Sequence, residues 1–259
     1  VSENDVLLAF CHNGNVTAGF MNCVLNAFAE DAQRPVRRLT EYHDAFGPYI
    51  HDNRSRMARY FLEHTDYEWL WFLDNDIEFE SGALYELLEA AEHHEIRILG
   101  GAYFNAYGHS DRYLSWLVFT PDGIKALPGE ILDTSTEPIE ITATGMGCTL
   151  IHRSAVQDVA DMYSGDPWDT FGADILLEFE DGGFMVGRVP DDLQTARSNG
   201  RLIRRMSRMG EDVTFCLRAR QAGHLTYGLP TLLVEHFKPS YLWHGRPNAP
   251  RPLTGPKEA

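Results

Sequence analysis

The 259 residues are 44% hydrophobic and carry a formal net charge of −16, which suits one large α/β domain better than two small ones. That charge disfavours nonspecific attraction to nucleic acid or anionic membrane but leaves metal and sugar binding open. No uninterrupted apolar run approaches the roughly 20 residues that cross a bilayer, so a soluble, cytoplasmic protein without a membrane span is expected.

Val6 to Phe10 is an apolar run of strand length, and Cys11-His12-Asn13-Gly14-Asn15 behind it is turn chemistry leading into a helix from about Val16 to Glu30. Strand, loop and helix in that order begin a βα unit. The loop holds one glycine, not the Gly-x-Gly-x-x-Gly of dinucleotide sites, which argues against a Rossmann dehydrogenase. A second strand is predicted over Val36 to Tyr42, then a Gly47-Pro48 break, then a helix from Ile50 to His64. That helix carries Arg54, Arg56 and Arg59, read mainly as a solvated face, with Arg54 near enough to its start to reach a nucleotide. Trp69 to Leu73 is continuous, aromatic and apolar, as a strand buried on both faces reads. It runs into Asp74-Asn75-Asp76.

Side chains alternate along an extended chain, so Asp74 and Asp76 are expected on one side with Asn75 on the other. Two carboxylates at a strand's carboxyl end stand where open α/β sheets bind ligands. Oxygen ligands with open positions suit a hard divalent cation that also holds phosphates. An ordinary Asp-Asn-Asp turn is the alternative.

Ser81 is predicted to cap a helix running to about His94. Ile96 to Tyr103 is the next buried strand, with Gly100 and Gly101 admitting close backbone approach. Tyr113 to Thr120 is a strand with the Pro121-Asp122-Gly123 turn behind it, so hairpins interrupt the parallel pattern. Ile139 to Thr144 alternates, Gly145-Met146-Gly147 forms a loop able to approach a ligand closely, and Cys148 to His152 leads to a short helix from Arg153. Residues 165–208 read as the least regular stretch, a lid or binding loop, ending in the basic cluster Arg201, Arg204, Arg205 and Arg208. Gly210-Glu211-Asp212 opens a helix with its acids in the first turn, where the helix dipole favours them, so capping is one reading of both. Leu232 to His236 is the last strand. The four cysteines, Cys11, Cys23, Cys148 and Cys216, are widely spaced and without a Cys-x-x-Cys pair, which points to buried free thiols. The expected organisation is one α/β domain over 1–238, its mixed central sheet flanked by helices, and a Pro-rich tail over 239–259.

Three features in this order resemble the GT-A class of nucleotide-sugar-dependent glycosyltransferases, in particular the inverting, family-2-like ones. They are the strand ending in Asp74-Asn75-Asp76, the glycine loop at Gly145 to Gly147, and the run Gly210-Glu211-Asp212 with Arg218 and Gly223 at family spacing. Arg54 to Leu62 also resembles the family's Arg-Asn helix, although Ser55 stands where Asn is common. The resemblance covers about residues 50 to 236 and implies a single-domain, Rossmann-like GT-A fold. It implies that Asp74 and Asp76 hold Mn²⁺ or Mg²⁺ on the diphosphate of a nucleotide-sugar donor, a UDP-sugar in the family's commonest case, with Asp76 favoured as the direct ligand. Asp212 would be the general base, Glu211 would sit beside the acceptor, and His236 would be a further metal ligand, with His244 as its competitor. Arg54, Gly145 and Gly147 would line the donor site. The acceptor would be a glycan or small molecule or, as in phage transferases, DNA with hydroxymethylated pyrimidines held by the arginine cluster. No Gln-x-x-Arg-Trp run is present, which argues for non-processive transfer. A sugar nucleotidyltransferase would instead show a Gly-rich, Lys/Arg-containing loop after the first strand, and a noncatalytic nucleotide-sugar-binding module would use Asp212 only as a cap.

Overall fold

The computed structural model describes residues 5–104, 113–120, 122–162, 170–172, 174–187 and 203–236. In chain order the first elements are β1 (Val6–His12), α1 (Ala18–Asp31), β2 (Leu39–Phe46), α2 (Ile50–His64), β3 (Trp69–Asp74), β4 (Ile77–Glu78), α3 (Ala83–His93) and β5 (Ile98–Ala102). Then come β6 (Tyr113–Thr120), β7 (Gly123–Pro128), β8 (Ile139–Ile141), β9 (Ala143–Thr144), β10 (Cys148–His152) and α4 (Arg153–Met162). The last are β11 (Ile175–Phe179), β12 (Phe184–Gly187), β13 (Ile203–Arg208), α5 (Glu211–Gln221), β14 (Thr226–Leu233) and β15 (Glu235–His236).

Seven strands form the central sheet in the order β2-β1-β3-β10-β5-β14-β8. β1 pairs in parallel with β2 and β3, and β14 with β5, while β10 and β8 run against their neighbours. The sheet is therefore mixed, as expected. Alternation along β1 and β3 divides the core in two. Val6, Leu8, Phe10, Trp69, Trp71 and Leu73 pack with residues of α1 and α3. Leu7, Ala9, Leu70 and Phe72 pack on the opposite face with residues of α2, α4 and α5. Both faces exclude water, which is why these strands read as continuous apolar runs rather than as alternating ones.

Four local expectations shift. β2 runs over Leu39–Phe46 rather than Val36 to Tyr42, because its pairing with β1 extends through His43 and Asp44 to Phe46 opposite His12. It is an edge strand, and polar residues there do not stop pairing. Ser81 does not cap α3: Gly82 is the N-cap, and the Ser81 hydroxyl donates instead to Glu30 of α1. Within 165–208 the described residues include three strands, paired antiparallel in the order β12-β11-β13. Short strands carrying Glu178 or the arginine run alternate too weakly to be recognised. Finally, β14 begins at Thr226, several residues before Leu232, with Gly228 and Pro230 masking its pattern.

Buried polar ties join the elements behind the carboxyl edge of the sheet. Ser55 of α2 accepts the Phe171 N–H at 3.1 Å, and the Phe171 ring stacks on Phe215 of α5 with centroids 4.4 Å apart. Arg218, a fully buried residue of α5, meets Asp174 at 2.5 Å. Gly223, just beyond α5, has φ +95° and ends the helix in the left-handed conformation that glycine adopts without strain. Among the residues that carry the family spacing, Arg218 and Gly223 thus have structural work of their own. No helix among the described residues is long and apolar enough to cross a membrane.

Candidate active site

Asp74 is the last residue of β3 and stays in register with Cys11 of β1. Alternation puts it on the face of Leu70 and Phe72, toward α2, where it meets Arg54. The guanidinium is buried and forked: Nη2 donates to Asp74 Oδ1 at 2.6 Å and Nη1 to Glu211 Oε1 at 2.5 Å. Burial alone would favour its neutral form, but the two carboxylates more than offset that and keep it charged. Arg54 therefore does not belong to a solvated face. It joins the strand-end acid Asp74 to the first turn of α5.

Asp212 follows Glu211 and is half-buried. Its Oδ1 accepts the Val213 N–H at 2.7 Å, while the N-cap of α5 is Gly210, with no side-chain cap bond. Burial pushes its carboxyl above the ordinary aspartate range; Arg54 opposes the shift, and Glu211 and Asp74 add to it. A carboxylate whose proton affinity is raised is suited to general-base work. Cys11, at the floor beside Asp74, is pushed by burial to about 12, so it stands there as a protonated thiol rather than a nucleophile.

Residues 75 and 76 form a turn, so strand alternation ends at Asp74 and the two acids take different partners. β4 pairs antiparallel with β15, setting His236 opposite Ile77. This brings His236 Nε2 to 3.2 Å from Asp76 Oδ2. The other ring nitrogen, Nδ1, lies 3.4 Å from the Phe104 carbonyl oxygen. A carbonyl can only accept, so that contact places a proton on Nδ1. The singly protonated ring would then turn a lone pair toward a carboxylate oxygen, an arrangement that calls for a proton or a cation between them. Asp76 and His236 therefore fit a divalent ion as a two-residue site with open positions. Among the described residues no three His, Cys, Asp or Glu side chains gather around one point. Asp74, Asp76 and His236 are thus not assembled as a trio, because Asp74 remains in β3 and is engaged by Arg54.

The glycine loop borders the same edge, but what approaches it closely is a tyrosine. A Cβ on Gly145 would lie 2.1 Å from the Tyr103 hydroxyl oxygen, and one on Gly147 would lie 2.9 Å from it. Tyr103 was legible only as the end of a strand; the sole hint of its role is a pair of glycines that leaves room for a bulky neighbour. His244 and Arg201 lie outside the described residues, as do the side chains of Arg204 and Arg205. Arg208 is exposed on β13.

Residues 53–160 match the Glycosyl transferase family 2 model. The match takes in Arg54, Asp74, Asp76, Gly145 and Gly147 and stops short of Glu211, Asp212 and His236. No curated protein matches the chain. Among solved structures, the crystal structure of A197 from STIV superposes with a TM-score of 0.52 at 19% identity, over 90% of this chain and 86% of that one. The crystal structure of GalNAc-T7 with UDP, GalNAc and Mn2+ gives a TM-score of 0.52 at 12% identity, over 91% of this chain and 44% of that one. These likenesses are of fold. The chain thus has a GT-A-type fold, and its stretch similar to Glycosyl transferase family 2 lies across the strand-end acids and the glycine loop.

Proposed function

We propose that this enzyme moves a sugar from a nucleoside-diphosphate donor, a UDP-sugar, to an acceptor hydroxyl with inversion at the anomeric carbon and without processive elongation. The observation that carries this reading is the fork of Arg54, which holds Asp74 and Glu211 beside an Asp212 whose proton affinity burial has raised. Asp212 takes the acceptor hydroxyl proton as the new C–O bond forms and the bond from the anomeric carbon to the diphosphate oxygen breaks. Nucleoside diphosphate leaves with that electron pair. A single base on the face opposite the leaving group gives one in-line displacement. Glu211, fixed by Arg54, borders the acceptor.

Mn²⁺ or Mg²⁺ is the expected cofactor, held by Asp76 and His236, with Asp74 beside them. When bound, such an ion stabilises negative charge on the leaving diphosphate. The UDP and Mn2+ named with the structure of GalNAc-T7 support this choice. A glycan or small molecule is the acceptor we favour. The modified-DNA alternative rests on an arginine cluster of which only Arg208 has a described and exposed side chain.

Release of nucleoside diphosphate from a panel of sugar nucleotides, with Mn²⁺ and with chelator, tests the proposal. We expect metal-dependent release from a UDP-sugar, and an inverted anomeric configuration in the product by nuclear magnetic resonance. Metal-independent release, or retained configuration, would remove Asp212 or the ion from its role.

A further inference from the structure

We infer that Tyr103 is the positioning residue that braces both arms of the Asp74–Asp76 turn, one through its hydroxyl and one through its ring. The inference rests on the proposed metal site and concerns how that site is held. Tyr103 is buried just past β5, and its backbone carbonyl accepts the Ser115 N–H of β6 at 2.8 Å. Its hydroxyl accepts the Gly147 N–H at 3.1 Å. The carbonyl of Gly147 in turn accepts the backbone N–H of Asp74 at 3.0 Å. One phenol oxygen thus fixes the loop that fixes the first acid.

The second arm runs through the ring. The Tyr103 ring meets the His236 imidazole edge to face, with centroids 5.4 Å apart at 82°, and the next residue supplies the Phe104 carbonyl facing Nδ1. Residues 103 and 104 together hold the tautomer and plane of the histidine that faces Asp76. Hydrogen-bonding partners behind a metal-binding histidine, such as the Phe104 carbonyl here, typically change metal affinity 10–100-fold when lost. Gly145 and Gly147 leave the phenol its space. Tyr103 touches none of the reacting atoms in this account; it acts through Asp74 and His236.

Mn²⁺ titration calorimetry on wild type, Tyr103→Phe, Tyr103→Leu and Val159→Ala separates bracing from simple packing. Val159 is buried in α4 and serves as a control that loosens the core elsewhere. Tyr103→Phe keeps the ring and should weaken Mn²⁺ binding several-fold, and Tyr103→Leu by about 10-fold or more. Val159→Ala should bind as wild type. Nitrogen-15 spectra of His236 without metal, taken at a pH high enough for the ring to be neutral, supply a readout independent of the ion: the Nδ1-protonated tautomer should persist in Tyr103→Phe and become mixed in Tyr103→Leu. Wild-type Mn²⁺ affinity in the folded Tyr103→Phe variant, together with an unchanged His236 tautomer in Tyr103→Leu, would overturn the inference. A wild type that takes up no Mn²⁺ would instead overturn the metal assignment. The His236 spectra would then decide the ring contact and the amide shifts of Asp74 and Gly147 in Tyr103→Phe the hydroxyl one, with unmoved signals refuting the bracing.

Discussion

At Asp212 the proposed function and stability pull against each other. The folded protein binds this carboxyl's proton more tightly than the unfolded chain does, because burial disfavours the anion. Its contribution to stability is therefore full below the unfolded-state pKa and is lost as pH rises through the raised folded value. Asp212→Asn removes that loss. The variant should melt above wild type at pH 7, and the gap should close near pH 3, as differential scanning calorimetry would show. Transfer should meanwhile fall by about 10²-fold or more, the scale of losing a general base. In wild type, the rate should decline on the acid side through a midpoint above the usual aspartate range. A variant that melts lower than wild type at pH 7 would show that the carboxylate is a stabilising helix-terminal charge instead.

Tight backbone approach between elements shapes the site, and the Gly147 loop is its clearest case. Gly147→Ala would drive a methyl to 2.9 Å from the Tyr103 hydroxyl oxygen. Relief requires the ring or the loop to move, at a cost of about 1–3 kcal/mol, measurable by urea unfolding, with donor affinity falling because Asp74 shifts with the loop. Unchanged stability and affinity would mean that the loop yields freely. The contrast between elements explains what the sequence disclosed. α2, β6 and β10 match their expected spans, since each carries an unbroken periodic or apolar pattern between clear breaks. The Asp74 strand was placed for the same reason. The separate partners of Asp74 and Asp76 were not, because they follow from a turn that ends strand alternation and from the distant β4–β15 pairing. Arg54 was legible as a residue able to reach a nucleotide, but its partners Asp74 and Glu211 were not, because helical periodicity says nothing of a carboxylate on another element, and Ser81 looked like a cap because its true partner, Glu30, lies on α1.

Over the whole molecule, the mixed sheet brings residues from α2, β3, the β3–β4 turn, the Gly145–Gly147 loop, α5 and β15 to one edge, though they lie far apart in sequence. In the proposed mechanism the arrangement divides labour. Asp76 and His236 form one pole, Glu211 and Asp212 the other, and Arg54 and Tyr103 tie the frame between them. Calorimetric titration of UDP in the presence of Mn²⁺, on wild type, Asp76→Asn and Asp212→Asn, tests that division most directly. Asp212→Asn should bind UDP as wild type does despite its lost turnover, and Asp76→Asn should lose the metal-dependent part of binding. UDP affinity that falls in Asp212→Asn, or stays unchanged and metal-dependent in Asp76→Asn, would contradict it.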